Sequence, residues 1–163
     1  MRQVWVDTDP GLDDAVAIAL LSASSSWKII ALSAVGGNTS LPIVSHNLVN
    51  IAHHLDLKAP IFKGLDRENR YMVTSHPGLK SQGRLGASSA TDQGQAAHLD
   101  QEKSPVGTKA LDQLIHLLRK SSGPITLLTL GPLTNVHYVM DQAPDLIDKL
   151  DQIVIMGGLF GIR

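Results

Sequence analysis

A chain of 163 residues with 43% hydrophobic and 18% charged residues and 14 glycines has the composition of an ordinary globular domain, which excludes disordered and collagen-like classes. Its formal net charge of −1 leaves no basic face to neutralise a phosphate backbone, so neither nucleic acid nor a membrane surface is an expected partner. There is no cysteine, which excludes disulfide staples, thiolate zinc sites and thiol nucleophiles, so any metal must be held by oxygen or imidazole.

The chain runs from Met1 straight into an apolar pattern, leaving no room for a signal or transit segment, and the cytoplasm is the expected location. Gln3 to Val6 reads as a short strand, and Asp13 to Ser22, rich in Ala, Val, Ile and Leu, as a buried helix. The alternation recurs with a strand at Lys28 to Val35, a loop at Gly36-Gly37-Asn38, a helix at Leu41 to Leu55 and a strand at Ala59 to Lys63. Periodicity lapses from Gly64 to about Ser104, a Ser-, Gly-, Gln- and Asp-rich stretch too long for a plain connection, and residues 64–104 are expected to form an active-site flap. Ser104 to Arg119 then patterns as an amphipathic helix and Pro124 to Leu130 as a buried strand stopped by Gly131-Pro132. Asn135 to Met140 and Pro144 to Leu150 look helical, and Gln152 to Met156 is a last strand closing on Gly157-Gly158.

Strands alternating with helices predict a single α/β domain over residues 1–163, with an open, mostly parallel, Rossmann-like sheet covered by helices on both faces. In such sheets ligands sit beyond the carboxyl ends of the strands. Four segments follow strand ends here and are expected to face one crevice: Asp7 to Asp14, Gly36 to Asn38, Leu130 to Asn135, and Met156 to Gly158.

Asp7, Asp9, Asp13 and Asp14 crowd four carboxylates into eight residues where a strand becomes a helix. Helix capping accounts for one or two of them, because an N-terminus stabilises negative charge by roughly 0.3–1 kcal/mol each. It leaves the strand-side pair unexplained, and Pro10-Gly11 bends the chain so that the two pairs can converge on a cation. Carboxylates and carbonyls without Cys or His favour a hard ion, calcium over magnesium, since Ca²⁺ takes 6–8 oxygen ligands.

The run Asp7-Thr8-Asp9-Pro10-Gly11-Leu12-Asp13-Asp14-Ala15 resembles the N-terminal signature of the inosine-uridine preferring nucleoside hydrolases. Val35-Gly36-Gly37-Asn38, Leu130-Gly131-Pro132-Leu133-Thr134-Asn135 and Ile155-Met156-Gly157-Gly158 agree in order and spacing. The resemblance implies a calcium-dependent hydrolysis of the N-glycosidic bond of ribonucleosides, yielding ribose and a free base. It implies Asp9, Asp14 and the Leu130 carbonyl as calcium ligands, Asp13 on a ribose hydroxyl, Asn38 near the ribose and the attacking water, Met156 lining the sugar pocket, and Asp7 behind the ligands. Asp9, touching both metal and water, takes the part of general base. A homo-oligomer, dimer or tetramer, is the expected assembly.

The likeness covers about the first half of a family member. The family's later Glu-Phe-Asn motif, its base-assisting His and its last calcium-binding Asp have no counterpart, so the chain reads as truncated, with weak turnover expected. In the flap, Ser81-Gln82-Gly83 stands where the family carries a His-Gly pair, with His76 a candidate substitute. His46, His53, His54, His98, His116 and His137 are expected on surfaces or in helix packing, and Trp5 and Trp27 in packing. Two alternatives remain. Asp7-Thr8-Asp9 would suit a haloacid dehalogenase-type, Mg²⁺-dependent phosphatase with an aspartyl nucleophile, although the later strand ends offer glycine and proline where that chemistry needs Lys and a further acidic pair. The other is an inactive homologue that binds calcium or ribosides without turnover.

Overall fold

A computed structural model describes residues 1–66 and 105–158 of the chain. Five strands, β1 (Arg2–Thr8), β2 (Trp27–Ala34), β3 (Ile61–Lys63), β4 (Ile125–Thr129) and β5 (Leu150–Ile155), form one sheet in the order β3-β2-β1-β4-β5. Every pairing is parallel, as the sequence predicts. The helices are α1 (Leu12–Ala23), α2 (Leu41–His54), α3 (Thr108–Lys120) and α4 (Thr134–Gln142), with a 3-10 helix at Pro144–Lys149. Among the described residues no helix is long and apolar enough to cross a membrane.

The pleat sorts the core into two layers. Val4, Val6 and Leu32 pack with Ile18 of α1 and Val44 and Leu48 of α2 on one face. Trp5, Ala31, Ile125 and Leu127 pack with Leu111, Leu114 and Leu118 of α3, Val139 of α4 and Leu146 on the other. Each such aliphatic side chain, removed from water, contributes about 1.5–3 kcal/mol to folding. Trp5 is fully buried and its indole N–H donates to Ser33 Oγ at 2.8 Å, so it belongs to the packing, as expected. Among the histidines His53, His54, His116 and His137 are exposed and His46 is half-buried, which fits their surface reading.

α3 begins after Gly107, whose φ of +70° is a backbone state that glycine adopts at little cost. Gly107 N–H donates to the Lys63 carbonyl at 2.8 Å and to the Gly64 carbonyl at 3.1 Å, which pins this entry to the end of β3. At the other end Lys149 Nζ donates to the carbonyls of Arg119 and Ser121, satisfying acceptors the helix leaves open. Of the predicted flap, residues 67–104, with His76, Gln82 and His98, lie outside the described residues.

Among the described residues, Asp151 to Ile155 of β5 are exposed. Ile153, Val154, Ile155 and Met156 are 39–53% exposed, and on the α1 face the neighbouring Leu12, Val16 and Leu20 are exposed too. The chain runs from β1 to β2 on one side while β4 lies on the other, so the strand order reverses at β1 and opens a crevice between the carboxyl ends of β1 and β4.

Candidate active site

That crevice holds a cavity of about 790 Å³, within the usual size of a small-molecule site. Its polar wall is Asp9, Asp13, Asp14 and Asn38, and its apolar wall includes Leu12, Val16, Leu130, Pro132 and Met156. Six of the seven residues singled out from sequence thus meet in one pocket.

Asp7 is the exception. β1 ends at Thr8, so Asp7 follows the pleat while Asp9 is turned by Asp9-Pro10-Gly11. Asp7 is fully buried below the pocket, where its Oδ1 accepts from Ser33 Oγ and from Asn135 Nδ2 at 2.8 Å. Among the described residues its Oδ2 has no hydrogen-bond partner, nor has the hydroxyl of Thr129, its cross-strand neighbour on β4. Burial pushes the Asp7 carboxyl up to about 7, with the Ser33 and Asn135 bonds opposing the rise and the Asp9 carboxylate adding to it. Three carboxylates thus line the pocket, and Asp7 stands behind them, the position the resemblance implies for it.

Asp9 is 7% exposed and tightly held. Its Oδ2 accepts the Asn38 backbone N–H at 2.7 Å, and Asn38 Nδ2 donates to its backbone carbonyl at 2.9 Å. Two glycines give the carboxylate its room: a Cβ on Gly37 would stand 2.1 Å from Oδ2, and one on Gly131 would stand 2.8 Å from Oδ1. Burial raises Asp9 to about 6, the Asn38 N–H opposes this, and the Asp14 and Asp13 carboxylates add to it. Asp14 is 3% exposed and accepts from Thr8 Oγ1 at 2.6 Å and from the Gly11 N–H at 2.9 Å. Asp13 is exposed at the pocket mouth.

The donors present suit a hard divalent cation in kind. They are carboxylate oxygens with no sulfur or imidazole among them, and the Asp14 and Asp13 carboxylates add to the rise in the proton affinity of Asp9. In number they fall short, because among the described residues no group of three His, Cys, Asp or Glu side chains stands ready to enclose an ion. An ion held at Asp9 and Asp14 needs backbone, water or ligand oxygens to complete its shell.

Thr8, Ser33, Gly37, Gly131 and Asn135 also shape the site, and all but Ser33 lie inside the motifs quoted above. The glycines were the available signal, since a backbone that must approach a carboxylate this closely admits no side chain.

The sequence profile described as inosine-uridine preferring nucleoside hydrolase matches residues 4–163. The chain is 29% identical over 160 residues to the non-specific ribonucleoside hydrolase RihC of Escherichia coli (strain SE11), covering 97% of this chain and 49% of that protein. Among solved structures, a plant nucleoside hydrolase, the PpNRh1 enzyme, superposes with a TM-score of 0.71 at 28% identity, covering 97% of this chain and 48% of the other. An inosine-guanosine nucleoside hydrolase superposes with a TM-score of 0.75 at 26% identity, covering 98% and 50%. The chain thus spans about half the length of the relatives it matches. With its α/β fold and the profile running almost end to end, it belongs to the inosine-uridine preferring nucleoside hydrolase family.

Proposed function

We propose that the crevice binds the ribose of a ribonucleoside and that this chain supplies the water-activating side of N-glycosidic hydrolysis in the cytoplasm. The observation that carries the reading is Asp9, a carboxylate clamped by Asn38 between two glycines on the wall of a pocket it shares with Asp13 and Asp14. Breaking the C1′–N bond builds oxocarbenium character on the sugar. Asp9 takes a proton from water as the water oxygen bonds to C1′, and the C1′–N electron pair leaves with the base. Asp13 accepts from a ribose hydroxyl at the mouth, and Met156, with the other apolar residues, covers the sugar. Calcium, held by Asp9, Asp14 and the Leu130 carbonyl, would orient the water and lower its pKa.

Calorimetric titration with Ca²⁺ tests the metal half: binding is expected, and Asp9→Ala and Asp14→Ala should weaken it. No heat from the wild-type chain, or affinity untouched by both substitutions, refutes it. Following inosine and uridine by absorbance tests the hydrolytic half, with turnover expected to fall in Asp9→Asn.

One observation favours a second reading, binding with little turnover. The titratable groups among the described pocket residues are all carboxylates of one strand-helix junction, and none stands apart to protonate the departing base, a step typically worth 10²–10⁴-fold. Turnover within tenfold of an intact relative would exclude that reading. The exposed apolar residues of β5 also support self-association, as a dimer or tetramer.

A further inference from the structure

We propose that Asn135 is a positioning residue for the pocket, fixing Asp9 from behind through Leu65 and the Gly36–Asn38 turn. Its side chain is fully buried in the first turn of α4 and touches no pocket surface. One amide serves three segments. Nδ2 donates to Asp7 Oδ1 at 2.8 Å and to the Ala34 carbonyl at 3.0 Å, and Oδ1 accepts the Leu65 N–H at 2.8 Å. The ends of β1 and β2 and the segment after β3 are thereby bolted together.

Two routes lead from this bolt to Asp9. The Leu65 carbonyl accepts the Gly36 N–H at 2.9 Å, and two residues on, Asn38 holds Asp9 by the backbone and side-chain bonds already described. The other route is covalent, since Asp7 precedes Asp9 by two residues and its own carbonyl accepts the Leu130 N–H at 2.8 Å. Gly64 shows how closely the amide is housed: a Cβ there would stand 2.2 Å from Asn135 Oδ1 and 2.4 Å from Nδ2. No other side chain of this size meets the demand. Aspartate would lose both donors and face the Asp7 carboxyl, and leucine would leave a buried N–H and carbonyl unpaired.

A clamp that only holds the sheet together predicts a general loss of stability. A positioning residue predicts a local loss at Asn38, and the consequence for catalysis rests on the water-activating part proposed for Asp9. Asn135→Ala should therefore be compared with Leu118→Ala, a core truncation remote from the pocket, with both proteins kept in folding conditions. Amide hydrogen exchange by NMR should show the Asn38 backbone N–H losing protection by about tenfold more in Asn135→Ala than in Leu118→Ala. Ca²⁺ affinity should fall in the first variant alone. If Asn135→Ala does not fold, Gly64→Ala, which displaces the amide without removing it, should give the same Asn38 signature. Asn38 protection that follows global stability equally in both variants overturns the inference. Protection lost at Asn38 in Asn135→Ala, alongside a wild-type chain that binds no Ca²⁺, leaves the positioning intact and refutes the proposed function instead.

Discussion

Replacing Asp7 by asparagine isolates the cost of holding a carboxyl in the core. In the folded chain, burial raises this group from 3.8 to about 7, so the native state keeps a proton that the unfolded chain releases near pH 4. The sign follows directly: the group's contribution to stability is whole below about pH 4, declines as pH rises towards 7, and is lost above it. At about 1.4 kcal/mol for each tenfold step in proton affinity, the rise is equivalent to an upper limit of roughly 4 kcal/mol. Asp7→Asn keeps the oxygen that accepts from Ser33 and Asn135 and puts a neutral N–H group where, among the described residues, Oδ2 has no partner. Urea denaturation of both proteins from pH 4 to 8, with a chelator present, should therefore give a flatter profile for the variant and a stability advantage at pH 8. Parallel profiles across that range would refute the argument.

Three further outcomes follow from the geometry. Gly37→Ala should displace the Asp9 carboxylate, because the new Cβ would lie 2.1 Å from Oδ2; losing the Asn38 bond to a charged group costs about 1.5–3 kcal/mol, read as roughly 10–100-fold weaker Ca²⁺ binding by calorimetry. 2′-Deoxynucleosides should be bound or turned over about tenfold less well than ribonucleosides, since the hydrogen bond from the hydroxyl to the Asp13 carboxylate is lost, and equal behaviour would remove Asp13 from the ribose. Sedimentation velocity should show concentration-dependent association through β5, suppressed by Val154→Lys together with Ile155→Lys, and a monomer at all concentrations would rule this out.

The architecture was legible because local pattern and global packing agree. The helix predicted over Leu41 to Leu55 forms over Leu41–His54, and the strand predicted over Lys28 to Val35 forms over Trp27–Ala34. The boundaries that moved were set by distant contacts. The third strand shortens to Ile61–Lys63 because its ladder with β2 is limited to Leu32, Ser33 and Ala34. The helix predicted from Ser104 starts at Thr108 because Val106 and Gly107 are tied to Lys63 and Gly64. The hydrogen bonds of Asn135 are not legible for the same reason, its partners lying 70, 101 and 128 residues away in the chain. A one-dimensional pattern carries no trace of such bonds.

Asp14 shows why the capping and metal-binding readings of the aspartate cluster need not compete. Its two oxygens accept from Thr8 Oγ1 and from the Gly11 N–H at the start of α1, which is the duty of a carboxylate in the first turn of a helix. A carboxylate offers about four acceptor positions, so two bonds leave capacity on both oxygens. Those two bonds also remove the rotational freedom that a ligand would otherwise lose on binding an ion. Capping would thus orient a metal-ligating Asp14 on the pocket wall that it shares with Asp9 and Asp13. Thr8→Val separates the two duties, because it takes one oriented donor from Asp14 and leaves the Gly11 bond to the helix. If capping alone explains the cluster, only stability should fall. If Asp14 is also a ligand, Ca²⁺ affinity should fall further than stability does, and an affinity unchanged in a folded Thr8→Val chain would return Asp14 to the helix alone.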